Sequence, residues 1–175
     1  MRAAAAVVAI VLAAGCAQLG TQTPQDQLFE LAGRIAARQG DEAFSGNLRW
    51  RHAGSLDELL LTSPLGQGVA RIVRKDGNVT LTTAEPREYR APDAESLTEQ
   101  TLGFRLPLAG LADWVRGRPS QDAPFDAERL ADGRLRVLEQ NGWRIEYLEY
   151  TGGLPSRLRL SYPGIDLRLA ISSWQ

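Results

Sequence analysis

One thiol in this 175-residue chain sits where chemistry can be done on it. Cys16 is the only cysteine, and it closes the run Leu12-Ala13-Ala14-Gly15-Cys16 directly after a short apolar segment. Met1 and Arg2 supply a positive start, Ala3 to Leu12 an apolar stretch, and Ala13, Ala14 and Gly15 the small residues that a signal-cleaving pocket accepts. Cleavage before Cys16 leaves that residue at the mature amino terminus. Its thiol can then carry a thioether-linked diacylglycerol and its amine a further acyl chain, which tethers a protein to a bilayer without spanning it. The apolar run, roughly twelve residues, is too short for a spanning helix, which needs about 20. An ordinary secretory signal with an accidental cysteine is the alternative; Ala13 stands where lipoprotein signals usually carry leucine.

The other reactive residue types form no convincing catalytic constellation. His52 is the only histidine and falls at a predicted strand end before Ala53-Gly54, where a solvated turn residue is expected rather than a base. Asp57/Glu58 and Glu146/Glu149 are the nearest approach to paired carboxylates. Adjacent strand positions point to opposite faces, however, and charges on a wet face need no catalytic explanation. No Gly-Xaa-Ser-Xaa-Gly elbow, phosphate-cradling glycine loop or metal-ligand spacing is present in the sequence. The chain reads as a non-enzyme with neither cofactor nor metal.

Composition narrows the partners. The 20 Lys and Arg nearly balance 21 Asp and Glu, and they are scattered along the chain rather than grouped into a basic stripe, which argues against nucleic acid. With Cys16 committed to lipid, no disulfide is available, so the fold must be held by packing. Three segments follow: a leader over 1–15, the lipid-bearing cysteine and a flexible Gln/Thr/Gly/Pro-rich tether over 16–27, and one domain over 28–175. At ~3.3 Å per extended residue the tether reaches up to ~35 Å from the lipid surface.

The elements that must position any site are mainly β. Phe44, Leu48 and Trp50 alternate with Ser45, Asn47, Arg49 and Arg51, and a turn at Ala53-Gly54 leads into Leu56 to Thr62. Val69 to Arg74 and Val79 to Thr83 flank an Asp76-Gly77 hairpin turn. Leu135 to Gln140 pairs with Trp143 to Tyr150 through Asn141-Gly142, and Arg157 to Tyr162 with Ile165 to Trp174 through Pro163-Gly164. Short turns between consecutive strands predict an antiparallel meander. The middle departs from this rhythm: a helix is predicted from Asp93 to Leu102 with Gly103 as its stop, and a second from Pro107 to Arg116 with Leu108, Leu111, Trp114 and Val115 on one face. Such a helix must cover something apolar, either a curved open sheet or a closed, filled barrel.

Two features admit a functional reading beside an ordinary one. Ser63-Pro64-Leu65-Gly66-Gln67 places a large apolar side chain on a turn. Leu65 either folds back or stays harmlessly outside, as most turn leucines do, or it probes a bilayer; burying one leucine contributes ~1.5–3 kcal/mol, enough to orient but not to anchor. Trp50, Trp114, Trp143 and Trp174 fall on predicted strands or the covering helix, where they form either an aromatic core or the wall of a cavity.

In Gly33-Arg34-Ile35-Ala36, the Trp50 strand, Leu59-Leu60-Leu61-Thr62-Ser63-Pro64-Leu65-Gly66, Leu106-Pro107-Leu108, Leu111 to Gly117, Gln140-Asn141-Gly142-Trp143 and Ile171-Ser172-Ser173-Trp174, the chain resembles the LolB family over nearly its whole mature length. The resemblance implies an incompletely closed antiparallel β-barrel with a helical lid over an apolar cavity. It implies a monomeric, lipid-anchored outer-membrane protein facing the periplasm, which takes acylated lipoproteins from a LolA-like carrier and inserts them into the inner leaflet without nucleotide hydrolysis. It further implies that Leu65 serves cargo insertion, that Trp50, Trp114 and Trp143 line the acyl-chain cavity, and that Ala17 after Cys16 suits sorting to the outer membrane. A carrier for another amphiphile, a phospholipid or glycolipid, is the rival within the same groove.

Overall fold

A computed structural model describes residues 28–175; Cys16 and the leader and tether expected over 1–27 lie outside the described residues. The strands are β1 (Leu28–Gln39), β2 (Glu42–Ala53), β3 (Leu56–Thr62), β4 (Gly68–Lys75), β5 (Asn78–Thr83) and β6 (Glu88–Ala91). Helices α1 (Ala94–Leu102) and α2 (Leu108–Trp114) follow, and then β7 (Phe125–Arg129), β8 (Leu135–Gln140), β9 (Trp143–Thr151), β10 (Leu154–Tyr162) and β11 (Ile165–Trp174). All eleven strands form one sheet in the order β6-β5-β4-β3-β2-β1-β11-β10-β9-β8-β7, each pair antiparallel.

This order explains the cover. Two meanders are joined at the centre by the first and last strands, so β6 and β7 become the two free edges, unpaired with each other. The chain must still travel from one edge to the other, and 92–124 makes that journey carrying both helices. A strongly twisted sheet of this size curls, and its concave face holds the apolar side of the period-2 pattern. Leu31, Ile35, Leu48, Trp50, Leu59, Leu61, Ile72, Leu81, Ile145, Leu158, Leu160 and Leu167 are all buried.

Local signals place both helices. Asp93 caps α1, its Oδ1 accepting from the Ser96 amide at 2.7 Å, and Gly103 ends it at φ 77°, a conformation costly for other residues. The second helix is shorter than the sequence predicts: Pro107 sits in front of it, and the turn continues through Val115 to Gly117 without regular helix. Strands β1, β6 and β7 had no clear pattern in the sequence. The first is interrupted by Gly33 at a register shift, the second is four residues long, and the third is exposed throughout.

Candidate functional site

The interior beneath the cover is apolar and closed. Phe104, Leu106, Leu108, Leu111 and Trp114 from the covering segment are each at most 2% exposed, so they point onto the sheet and occupy the hollow with their own side chains. Helical spacing places Leu108, Leu111 and Val115 on one side of α2, and the structure buries all three.

The three candidate tryptophans fall into two groups rather than one cage. Trp114 and Trp143 have ring centroids 6.5 Å apart, and Trp143 continues to Tyr162 at 5.2 Å. The Trp114 indole donates to Gln140 Oε1 at 2.8 Å. Gln140 in turn accepts from the Ser120 amide at 2.9 Å and donates to the carbonyls of Ser120 and Ala123 at 2.7 and 2.8 Å. The Tyr147 hydroxyl donates to the Trp114 carbonyl at 3.0 Å; burial pushes its pKa far above the ordinary tyrosine value, so it remains a donor. These bonds fasten the C-terminal part of the cover to β8 and β9.

Trp50 stands apart, on the other half of the sheet. Phe29 meets it edge to face at 5.0 Å, stacks on His52 at 4.9 Å and touches Trp174 at 5.6 Å. The Trp50 indole donates to Asp57 Oδ1 at 2.8 Å. His52 Nδ1 lies 2.7 Å from the same oxygen, and Arg74 Nε donates to Oδ2 at 2.6 Å.

Here two sequence expectations are corrected. His52 is 6% exposed, not a solvated turn residue, because it stands two residues after Trp50 and shares its concave face, with Arg51 between them pointing out. Asp57 is fully buried, and only its neighbour Glu58 faces outward, where it pairs with Arg71. The group could have been found from parity: His52 and Asp57 share an inward register, and a buried carboxylate needs donors. Its arrangement is structural, since both oxygens of Asp57 are taken up by Trp50, His52 and Arg74.

Leu65 occupies the β3–β4 turn and is 90% exposed. The turn is held by its own bonds: the Ser63 amide donates to the Gln67 carbonyl at 2.7 Å and the Gly66 amide to the Ser63 carbonyl at 2.9 Å. Asn47 reaches from β2 to the Ser63 carbonyl at 3.1 Å, so the loop is braced from beside as well as from within. A rigid base therefore presents one bare leucine to solvent.

Solved structures share this architecture. A LolA superfamily protein from Nitrosomonas europaea aligns with TM-score 0.54 and 13% identity, over 86% of each chain. A putative outer membrane lipoprotein-sorting protein domain from Vibrio parahaemolyticus aligns with TM-score 0.55 and 10% identity, over 86% of this chain and 85% of that one. At these identities the likeness shows the fold: an unclosed curved sheet with two short helices, as the sequence reading expects.

Sequence relatives are nearer. The outer-membrane lipoprotein LolB of Thiobacillus denitrificans is 39% identical over the full chain and 98% of its own length. That of Nitrosomonas europaea is 42% identical over 84% of this chain and 72% of its own, and that of Pseudomonas paraeruginosa 36% identical over 97% and 94%. The family profile described as outer membrane lipoprotein LolB matches residues 27–174. With that span matched and the fold in agreement, the chain belongs to the LolB family of outer-membrane lipoproteins, non-enzymatic receptors in lipoprotein localisation.

Proposed function

We propose that the protein receives the acyl chains of a lipoprotein from a soluble LolA-like carrier into the hollow under its cover, and releases them to the inner leaflet of the outer membrane through contact made by Leu65. The physical problem sets the form of the answer. Each exposed methylene of an acyl chain costs about 0.8 kcal/mol in water, so a triacylated cargo must pass from one apolar container to the next. A carrier with the same fold would offer a matching container, and affinity differences between carrier, receptor and bilayer drive the transfer.

The hollow is filled by Phe104, Leu106, Leu108, Leu111 and Trp114, so acyl chains enter by displacing the covering segment. That segment is suited to move, because 92–124 crosses between the sheet edges as helices and loops and contributes no strand to the ladder. Trp50, Trp114 and Trp143 would then wall the opened space, with their indole N–H groups or rings held by the sheet.

The observation that carries the reading is Leu65, a bare leucine on a braced turn of a protein that works at a membrane. Leu65→Glu tests it. Folding and uptake of cargo from the carrier should match the unaltered protein, while insertion into vesicles fails; insertion at the normal rate removes the proposed role.

A further inference from the structure

Arginines scattered in the sequence are gathered by the sheet onto its outer, convex face. Register places Asn47, Arg34, Ala170 and Arg157 in one row across β2, β1, β11 and β10, and Ser45, Ala36, Arg168 and Arg159 in the next. All alternate with buried residues, so their side chains share the convex side. Acidic neighbours answer only some of them. Arg157 pairs with Glu149 at 2.7 Å, whereas Arg159 and Arg168 share the single carboxylate of Asp166 at 2.6 and 2.9 Å. Arg34, Arg38 and Arg49 are exposed, and among the described residues their side chains have no ion pair or hydrogen bond.

Apolar surface lies among these charges. Ala36, Ala170 and the exposed Leu148 line a groove of about 410 Å³ whose rim holds Arg34, Arg157, Arg159 and Arg168 against one carboxylate, Glu146. Leu60, 41% exposed, stands between Arg49 and Arg71 in one cross-strand row, and its strand runs directly into the Leu65 turn. Exposed leucines stand among arginines of which Arg34 and Arg49 are unpaired while Arg71, Arg157 and Arg168 hold carboxylates, and the set matches the two layers of a membrane interface: guanidinium groups bind phosphate, and short apolar side chains reach the acyl boundary. The opposite side has the opposite charge, since the covering segment holds Asp93, Glu95, Glu99, Asp113 and Asp122 against Arg105, Arg116 and Arg118.

We infer that the convex face of β1–β4 and β9–β11 is a docking surface for anionic phospholipid headgroups, Arg34 and Arg49 being its principal contacts. The occupant is the bilayer that holds the Cys16 lipid, because the tether keeps this face within reach of that surface and the unpaired charge is complementary to it. Docked this way, the domain turns its acidic cover toward the periplasm and brings the Leu65 turn down beside the headgroups. The inference deepens the reading of Leu65 and gives that residue a platform instead of asking one leucine to orient the whole domain.

Full-length lipidated protein in vesicles provides the test. Cys16 is the only natural cysteine and is consumed by lipid, so Ser45→Cys on the convex face and Asp122→Cys beside the cover accept a fluorophore one at a time. With a quencher on the headgroups of phosphatidylglycerol-containing vesicles, the label at 45 should be quenched several-fold more than that at 122. Phosphatidylcholine vesicles, or high salt, should abolish the difference. Arg34→Glu with Arg49→Glu should weaken the contact about tenfold or more, with an unchanged unfolding midpoint; the salt series asks the same question without mutation. Equal quenching at the two positions overturns the inference, as does a contact insensitive to both salt and charge reversal. Reversal that stops transfer from the carrier while vesicle contact persists also overturns it, and assigns the face to an acidic protein. Convex-face contact that survives Leu65→Glu, with cargo still inserted, would sustain this inference and defeat the role proposed for Leu65.

Discussion

The indole of Trp50 donates to Asp57 Oδ1 at 2.8 Å, joining the largest fully buried side chain of β2 to a carboxylate that is itself completely buried. Register makes this possible: Asp57 lies opposite His52 on one neighbouring strand and opposite Arg74 on the other, so two partners share its row, and Trp50 reaches it from the next inward position of β2, opposite Leu59. A buried carboxylate without donors would be neutralised or would unfold its surroundings. Burial alone pushes the Asp57 pKa up, but the His52 hydrogen bond and the Arg74 guanidinium outweigh it and hold the group below its ordinary value of 3.8. Because an ionised carboxylate only accepts, Nδ1 of His52 carries the proton in this bond.

Acid stability should depend on that carboxylate. In the unfolded chain Asp57 titrates near 3.8, higher than when folded, so its contribution is complete above that pH and is lost as the pH falls through the lower folded value. Asp57→Asn keeps the shape and removes the charge, leaving Arg74 without its counter-ion; a loss of about 3–5 kcal/mol at neutral pH is expected. Urea unfolding followed by tryptophan fluorescence, repeated from neutral to acid pH, should show a flatter acid limb in the variant. An acid limb of unchanged steepness would mean that other carboxylates govern it.

Gly110→Ala should destabilise the cover although alanine favours helix. Propensity alone predicts a gain of up to ~1 kcal/mol. A Cβ at position 110, however, would lie 2.3 Å from Cζ2 of Trp114, one turn later, and the ring cannot retreat while its N–H is bonded to Gln140. Overpacking of this kind costs about 1–3 kcal/mol and should win. Thermal unfolding would show a lowered midpoint, and the near-ultraviolet signal of Trp114 should change; a raised midpoint would show that the ring moves freely.

Much of the architecture was legible because each half of the sheet is a meander whose turns are written in Asp76-Gly77, Asn141-Gly142 and Pro163-Gly164. What escaped reading was decided by partners remote in sequence. Strand β1 has Ala, Arg and Gln where strands usually have β-branched residues, and it becomes a strand because β2 and β11 hold it on both sides. Strand β7 buries nothing and exists only as an edge on β8. The candidate site shows the same division. Leu65 could be named from its turn, since Pro64 and Gly66 force a bend around it. The burial of His52 and Asp57, and the gathering of arginines on one face, depend on register between strands, which local periodicity does not contain.

The cover should open more readily without Glu99. Its Oε1 accepts from Gln39 Nε2 at 2.5 Å and its Oε2 from Arg105 Nε at 2.8 Å, while Gln39 Oε1 accepts from the Arg105 amide at 3.1 Å. One carboxylate thus ties α1 to the far end of β1 and to the turn that precedes α2. These groups are partly exposed, so solvent screens them and the whole clasp contributes only about 1 kcal/mol. That is a small fraction of global stability but a roughly fivefold effect on a local equilibrium between closed and open cover. Glu99→Ala should therefore leave the global unfolding midpoint within a few degrees of normal while amide exchange in α2 accelerates about fivefold and apolar-dye binding rises. If exchange in α2 instead tracks global unfolding in both proteins, the cover does not open as a separate unit, and entry of acyl chains would require the sheet itself to part.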